Sequence, residues 1–145
     1  MFKPSKILVP TDMSSHADKA IHQAFEIARQ FGSEVFVLHV VQHPLEQYTE
    51  DYSTSDDGPR ERMREKARVS ILRQVERISP EGAANAILDV REGVPYDEIL
   101  KDADERNIDL IVISSLGTTG LAKYLIGSVA RHVLLASKCS VLLVK

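Results

Sequence analysis

Four short runs of apolar residues constrain this chain more than anything else in it. They are Ile7-Leu8-Val9, Val35-Phe36-Val37-Leu38, the stretch 108–113, and Val141-Leu142-Leu143-Val144. Each is too short for a helix and rich in β-branched residues, which marks strands. The first is closed by Pro10, the second continues through His39 to Val41, and the third is interrupted only by Asp109. A strand that does not alternate apolar with polar residues is covered on both faces, the habit of parallel sheets. A fifth stretch, 86–91, alternates apolar with charged residues from Leu88 onward, as a half-exposed edge strand does.

Helical spacing fills the gaps between these runs. In 14–31 the residues Ala17, Ala20, Ile21, Ala24, Phe25, Ala28 and Phe31 form one stripe. Ser14 or Ser15 can cap its start and Gly32 can close its end. In 61–78 the inward positions are Met63, Ala67, Ile71, Val75 and Ile78, with Pro80 as a stop. Two shorter helices are predicted at 95–106 and 128–137. The order βαβαβαβαβ over 145 residues predicts one α/β domain, 1–145, with an open five-stranded parallel sheet and helices on both faces. The segment 42–59 contains five acidic residues and no lysine or arginine, and reads as a flexible polar loop.

Composition narrows the function classes. Lysine plus arginine number 18 against 21 acidic residues, a net charge of −3 that gives no global attraction to nucleic acid or an anionic membrane. The single cysteine, Cys139, allows no internal disulfide and no cysteine-based zinc ribbon, and reads as a small buried residue. No apolar run approaches the roughly 20 residues that span a bilayer, and no signal-peptide pattern opens the chain. The expectation is a cytoplasmic domain without membrane insertion or nucleic-acid binding. Neither the dinucleotide pattern GxGxxG nor the P-loop is present. His39 and His43 are four apart at a strand end with no third ligand evident, so they read as structural or incidental. His16, His22 and His132 lie on helices facing solvent, and the basic residues from Arg60 to Arg68 interleave with Glu61 and Glu65 as a solvated helix face.

In an open parallel sheet, ligands bind beyond the carboxyl ends of the strands. Two loops there carry chemistry. Pro10-Thr11-Asp12 follows the first strand. Its carboxylate can accept hydrogen bonds from a ribose hydroxyl or a base amino group, while local sequence alone favours Asp12 as a helix cap. Ser114-Ser115-Leu116-Gly117 follows the fourth strand, and Gly127-Ser128 opens the last helix. Glycines let backbone approach a phosphate, and a helix N-terminus offers it free N–H groups. Ser128 can donate its hydroxyl or serve as the cap. Lys123 lies between the glycine elements and reads more readily as a solvent-facing lysine than as a phosphate contact.

Taken together these residues resemble the universal stress protein family over essentially the whole chain. The likeness rests on Lys6-Ile7-Leu8-Val9-Pro10-Thr11-Asp12, Val37-Leu38-His39-Val40-Val41, Glu92-Gly93-Val94-Pro95 and Asp109-Leu110-Ile111-Val112-Ile113. Nucleotide-binding members carry glycine, two residues, glycine, nine residues, glycine, then serine or threonine. Gly117 and Gly127-Ser128 fit the second half, but Ser114 stands where the first glycine belongs. The resemblance implies a Rossmann-like fold of the adenine nucleotide alpha hydrolase type, with strand order 3-2-1-4-5. It also implies ATP, with magnesium or manganese, as ligand. By resemblance, Asp12 meets the adenine or ribose end, Val9 and Val41 line the base pocket with Pro10 and Thr11 beside them, and Ser114, Ser115, Gly117, Gly127 and Ser128 surround the ribose and phosphates. If φ at Ser114 is negative, serine fits and can donate a hydrogen bond; if positive, it costs of order 1 kcal/mol.

The same order makes the last strand an apolar edge, and edges of that kind are pairing liabilities unless covered. By resemblance, two subunits pair through Val141 to Val144. The reading is an ATP-binding regulatory or sensor module in stress response, acting as a homodimer with an unknown protein partner. No residue is an obvious general base for hydrolysis. Two rivals stand beside it: a slow ATPase or phosphotransferase using Lys123 and a metal, and an interaction module whose crevice binds no nucleotide.

Overall fold

The computed structural model describes residues 1–42, 58–116 and 125–145. Among the described residues five strands and five helices follow in the order β1 (Lys6–Pro10), α1 (Ser15–Phe31), β2 (Glu34–Val41), α2 (Gly58–Ile78), α3 (Pro80–Asn85), β3 (Ile87–Glu92), α4 (Pro95–Arg106), β4 (Leu110–Ser114), α5 (Ser128–Ala136) and β5 (Ser140–Val144). The sheet is fully parallel with order β3-β2-β1-β4-β5, as the alternation of elements and the family resemblance predict. No helix among the described residues is long and apolar enough to cross a membrane.

The apolar runs do not alternate because each strand feeds two cores. Ile7, Val9, Val35, Val37, Leu110 and Val112 point to the face covered by α1 and α2. Leu8, Phe36, Leu38, Ile111 and Ile113 point to the face covered by α4 and α5. On the second face Asp102 is 2% exposed, and Arg91 and Arg106 pair with it. A buried carboxylate persists only with such partners. Arg106 also lies 4.7 Å above the Phe36 ring and so fastens α4 to the sheet.

Two boundaries differ from the sequence expectation. Gly58 and Pro59, assigned to the polar loop, belong to α2, and 43–57 lie outside the described residues. Pro80 stops α2 but also starts α3, which the helical spacing did not reveal. The Ser79 hydroxyl caps α3 by accepting from the Gly82 N–H, and proline at the first position loses nothing because that N–H has no helical partner. A Cβ at Gly82 would come within 2.6 Å of the Phe25 ring, so glycine lets α3 press against α1.

The central seam is closed by Asp109, which lies just ahead of β4. Its Oδ2 accepts from the Ser5 N–H (2.8 Å), the Ser5 hydroxyl (2.6 Å) and the Lys6 N–H (2.8 Å), while its own N–H donates to the Lys6 carbonyl (3.0 Å). The Ser5 hydroxyl first, then the Lys6 and Ser5 amides, hold its carboxyl below the ordinary aspartate value of 3.8. Stability from a lowered carboxyl pKa is full above the unfolded value and is lost as pH falls through the folded one. Asp109→Asn keeps an acceptor but loses the charge, and should cost about 1 kcal/mol at pH 7. The gap in urea midpoint between the variant and wild type should close as pH falls below 3.8. A gap that stays constant down to strong acid would contradict this account of the seam.

Candidate functional site

β1 has β2 on one side and β4 on the other, so the chain leaves their carboxyl ends in opposite directions. A cleft of about 480 Å³ opens there. Ligand sites commonly occupy about 300–1,000 Å³, so the space suits a small organic ligand.

One wall is the turn after β1. The Thr11 N–H donates to the Leu38 carbonyl (2.8 Å), the His39 Nδ1–H donates to the Thr11 carbonyl (2.8 Å), and the Thr11 hydroxyl donates to Gln74 Oε1 (2.8 Å). The same hydroxyl accepts the Met13 N–H (3.0 Å). Met13 sits at φ +65°, an unusual conformation for a side-chain-bearing residue, which turns the chain from strand into helix. Asp12 is exposed. Its Oδ1 accepts from the Ser14 N–H (3.0 Å) and from the Ser14 hydroxyl. Its Oδ2 has no protein donor among the described residues. The helix cap is Ser14, whose hydroxyl accepts the Ala17 N–H (3.2 Å). The expectation that Asp12 itself caps α1 is therefore corrected: Asp12 lies too far ahead and instead orients the residue that does.

The opposite wall is the start of α5. Gly127 occupies the cap position and Ser128 is the first helical residue, so Ser128 is not the cap. No side chain caps this helix and its first turn carries no acidic residue. Its leading N–H groups, from Ser128 on, therefore lack helical partners, and Gly127, Ser128, Val129 and Ala130 line the cleft. Gly127 is held by its N–H donating to the Ser115 carbonyl (2.7 Å), and the Ser115 N–H donates to the Val144 carbonyl (2.8 Å). Ser114 ends β4 with its hydroxyl donating to the Leu116 carbonyl. It is not among the positive-φ residues, so its Cβ brings no torsional strain.

Of the residues singled out by sequence, the cleft gathers Pro10, Thr11, Asp12, Val41, Ser114, Gly127 and Ser128. Val9 does not reach it: it is 0% exposed and packs in the core under α1 and α2. Ser115 braces the cleft without lining it. Gly117, Lys123 and His43 lie outside the described residues. Sequence reasoning missed Leu38, Val40, Ile99 and Ile113, which line the cleft from the α4 and α5 side. Leu38, Val40 and Ile113 lie toward the carboxyl ends of β2 and β4, a usable signal, but which face each occupies depends on register, and Ile99 reaches the cleft from α4. His39 lines the cleft and bonds through its ring to the Thr11 carbonyl. His132 is exposed and stacks on Tyr96 at 4.3 Å between ring centroids. Cys139 is half-buried, 3.3 Å from the Ser137 hydroxyl.

The universal stress protein family profile matches residues 3–145. Universal stress protein MJ0531 of Methanocaldococcus jannaschii is 34% identical over 146 residues, covering 97% of this chain and 81% of that protein. A universal stress protein solved in complex with cAMP superposes with a TM-score of 0.70 at 24% identity, covering 99% of this chain and 98% of that one. The universal stress protein from Archaeoglobus fulgidus in complex with dAMP gives a TM-score of 0.57 at 23% identity, with coverage of 99% and 98%. At these identities the two structures speak for the fold alone.

Since Ser114 adopts a strand conformation, glycine there would add backbone freedom and remove the hydroxyl's bond to Leu116. Ser114→Gly should lower stability by about 0.5–1 kcal/mol. Thermal unfolding of the pair checks this, and a stabilised glycine variant would mean that serine is strained after all.

Proposed function

The chain belongs to the universal stress protein family, and from that premise we propose that it binds an adenine nucleotide, ATP, as a regulatory or sensor module. One observation carries the reading: the cleft joins a carboxylate with a free oxygen, on Asp12, to an uncapped, acid-free helix N-terminus at Gly127 and Ser128. These are the two ends of a nucleotide in complementary form. The carboxylate accepts from ribose hydroxyls or a base amino group. The α5 N-terminus takes phosphate, since its amides point at the ligand and its dipole favours negative charge. Val41 and the apolar lining below it give the base a dry surface. Proteins of this fold have been solved in complex with cAMP and with dAMP, ligands of the same class. Magnesium or manganese would enter with the phosphates, as is usual for such ions. Regulation requires only that the filled and empty states differ in free energy toward a partner, so turnover is not needed.

The module acts as a homodimer through Val141 to Val144. β5 is a sheet edge, Leu142 on it is 37% exposed, and Leu134 and Leu135 of the adjoining α5 are 41% and 75% exposed. Pairing two such edges supplies the missing backbone partners and covers the leucines.

Native mass spectrometry of gently purified protein, with and without added ATP and magnesium, tests both parts. The expected species is twice the 16.2 kDa chain carrying about one nucleotide per subunit. Asp12→Ala should weaken ATP binding by about tenfold or more, the loss typical of a charged hydrogen-bond acceptor. Leu142→Asp should shift the mass toward 16.2 kDa. A chain that takes up no ATP under these conditions would favour the interaction-module reading.

A further inference from the structure

α2 buries only Ile71, Gln74 and Val75 among its 21 residues, and the middle one is polar. An apolar residue at 74 would continue the stripe. Instead Gln74 is 6% exposed and spends its amide on three partners. Its Oε1 accepts the Thr11 hydroxyl at 2.8 Å, and its Nε2 donates to Asp18 Oδ1 at 2.7 Å, with the Ser14 carbonyl 3.4 Å away.

The direction of each bond is forced. The Gln74 Nε2 must face Asp18, whose carboxylate only accepts, which leaves Oε1 toward Thr11, and an amide oxygen only accepts, so the Thr11 hydroxyl donates to it. Asp18 is engaged by both of its oxygens with Arg77 at 3.0 Å. Burial works to raise its pKa, but the hydrogen bonds from Arg77 and Gln74 outweigh it and hold it lowered, so at neutral pH it can only accept. The site therefore demands an acceptor on one side and a donor on the other. An amide meets both demands.

All of these contacts converge on the turn that presents Asp12. Thr11 is 5% exposed and its neighbour Asp12 is open to the cleft. Met13, at φ +65°, is held by the same hydroxyl. Ser14, which Asp12 grips, lies at the other end of the amide.

We propose that Gln74 is a positioning residue of the nucleotide site: by bridging Thr11 to Asp18 and Ser14 it sets the turn that aims the Asp12 carboxylate, without touching the ligand. This rests on the nucleotide reading above and adds a long-range control to it, because Gln74 comes from a helix 63 residues further along the chain than Thr11.

The test compares wild type, Gln74→Met and Val75→Ala. Methionine keeps the bulk of residue 74 and removes all three hydrogen bonds. Val75→Ala loosens the same helix on the neighbouring core position, Val75 being 0% exposed. Titration calorimetry with ATP and with inorganic tripolyphosphate separates the nucleoside half of the site from the phosphate half. Gln74→Met should weaken ATP binding by about tenfold, the scale of coupling between neighbouring groups, while tripolyphosphate affinity stays within about twofold. In the nucleotide-free protein, hydrogen exchange at the Met13 amide should accelerate by a similar factor while amides of β2 keep their protection. Val75→Ala should lower the melting temperature with ATP affinity unchanged.

Unchanged ATP affinity in Gln74→Met, with wild type binding normally, overturns the inference. Equal weakening of ATP and tripolyphosphate, or the same loss in Val75→Ala, also overturns it, since either would mean general loosening. Failure of wild type itself to bind ATP is a different result: it removes the nucleotide reading and this inference with it.

Discussion

The placement of β1 beside β4 is the constraint on which the rest of the structure depends. β1 is hydrogen-bonded on both sides and covered on both faces, so Ile7, Leu8 and Val9 lose all contact with solvent. Burial on that scale stabilises by roughly 1.5–3 kcal/mol per large side chain, which explains why this strand tolerates no polar residue in its middle. The pairing joins segments about a hundred residues apart, and the Asp109 carboxylate anchors it by gathering three donors from Ser5 and Lys6. Because the chain reaches β2 from one side of β1 and β4 from the other, the connections diverge at the top of the seam. The cleft follows from this topology rather than from any particular side chain.

What makes the cleft chemically specific is the contrast between its two walls. On the β1 side the polar groups of Thr11 are saturated by Leu38, His39, Gln74 and Met13. α1 begins with a capped, acid-bearing first turn through Ser14 and Asp18. α5 begins with Gly127, no cap and no acid. A side-chain cap is worth about 1 kcal/mol, so leaving one helix without it forgoes stability that the neighbouring helix collects. The open amides keep their capacity for an anion, and the saturated turn keeps its shape. One wall is rigid and presents an acceptor, while the other is unsatisfied and presents donors.

The fold was legible wherever burial acts on consecutive residues. The two-sided strands and the stripe of α1, with Gly32 in the left-handed conformation at its end, follow from local pattern. α3 was not legible, because Pro80 breaks one helix and opens another, and only the Ser79 hydroxyl on Gly82 distinguishes the two outcomes. In the site, Pro10, Thr11, Asp12, Val41, Ser114, Gly127 and Ser128 could be placed near one another because the strand order that the family resemblance implies brings their loops together. Val9 could not be separated from Leu38 or Val40 by sequence, since the face each side chain takes depends on how the strands twist over the helices. Gln74 carried no signal at all: in a helix of many charged residues one glutamine is unremarkable until its partners, 56 and 63 residues away, are known. The question raised by Ser114 was one of torsion, and the strand conformation answers it.

That answer bears on how far the site and the sheet edge are separate. Ser114 lines the cleft, and the next residue, Ser115, receives the Gly127 N–H on its carbonyl and sends its own N–H to Val144. The start of α5 and the end of β5 therefore hang from the two ends of one residue. A displacement of Gly127 away from Ser115 would leave a carbonyl without its donor at the rim of the cleft. A displacement of β5 would do the same to the Val144 carbonyl. Since a backbone group stripped of its partner away from water costs about 1–3 kcal/mol, the two segments shift more cheaply together than apart. The start of α5 and the apolar edge are thus mechanically one unit, built on Ser115 beside Ser114.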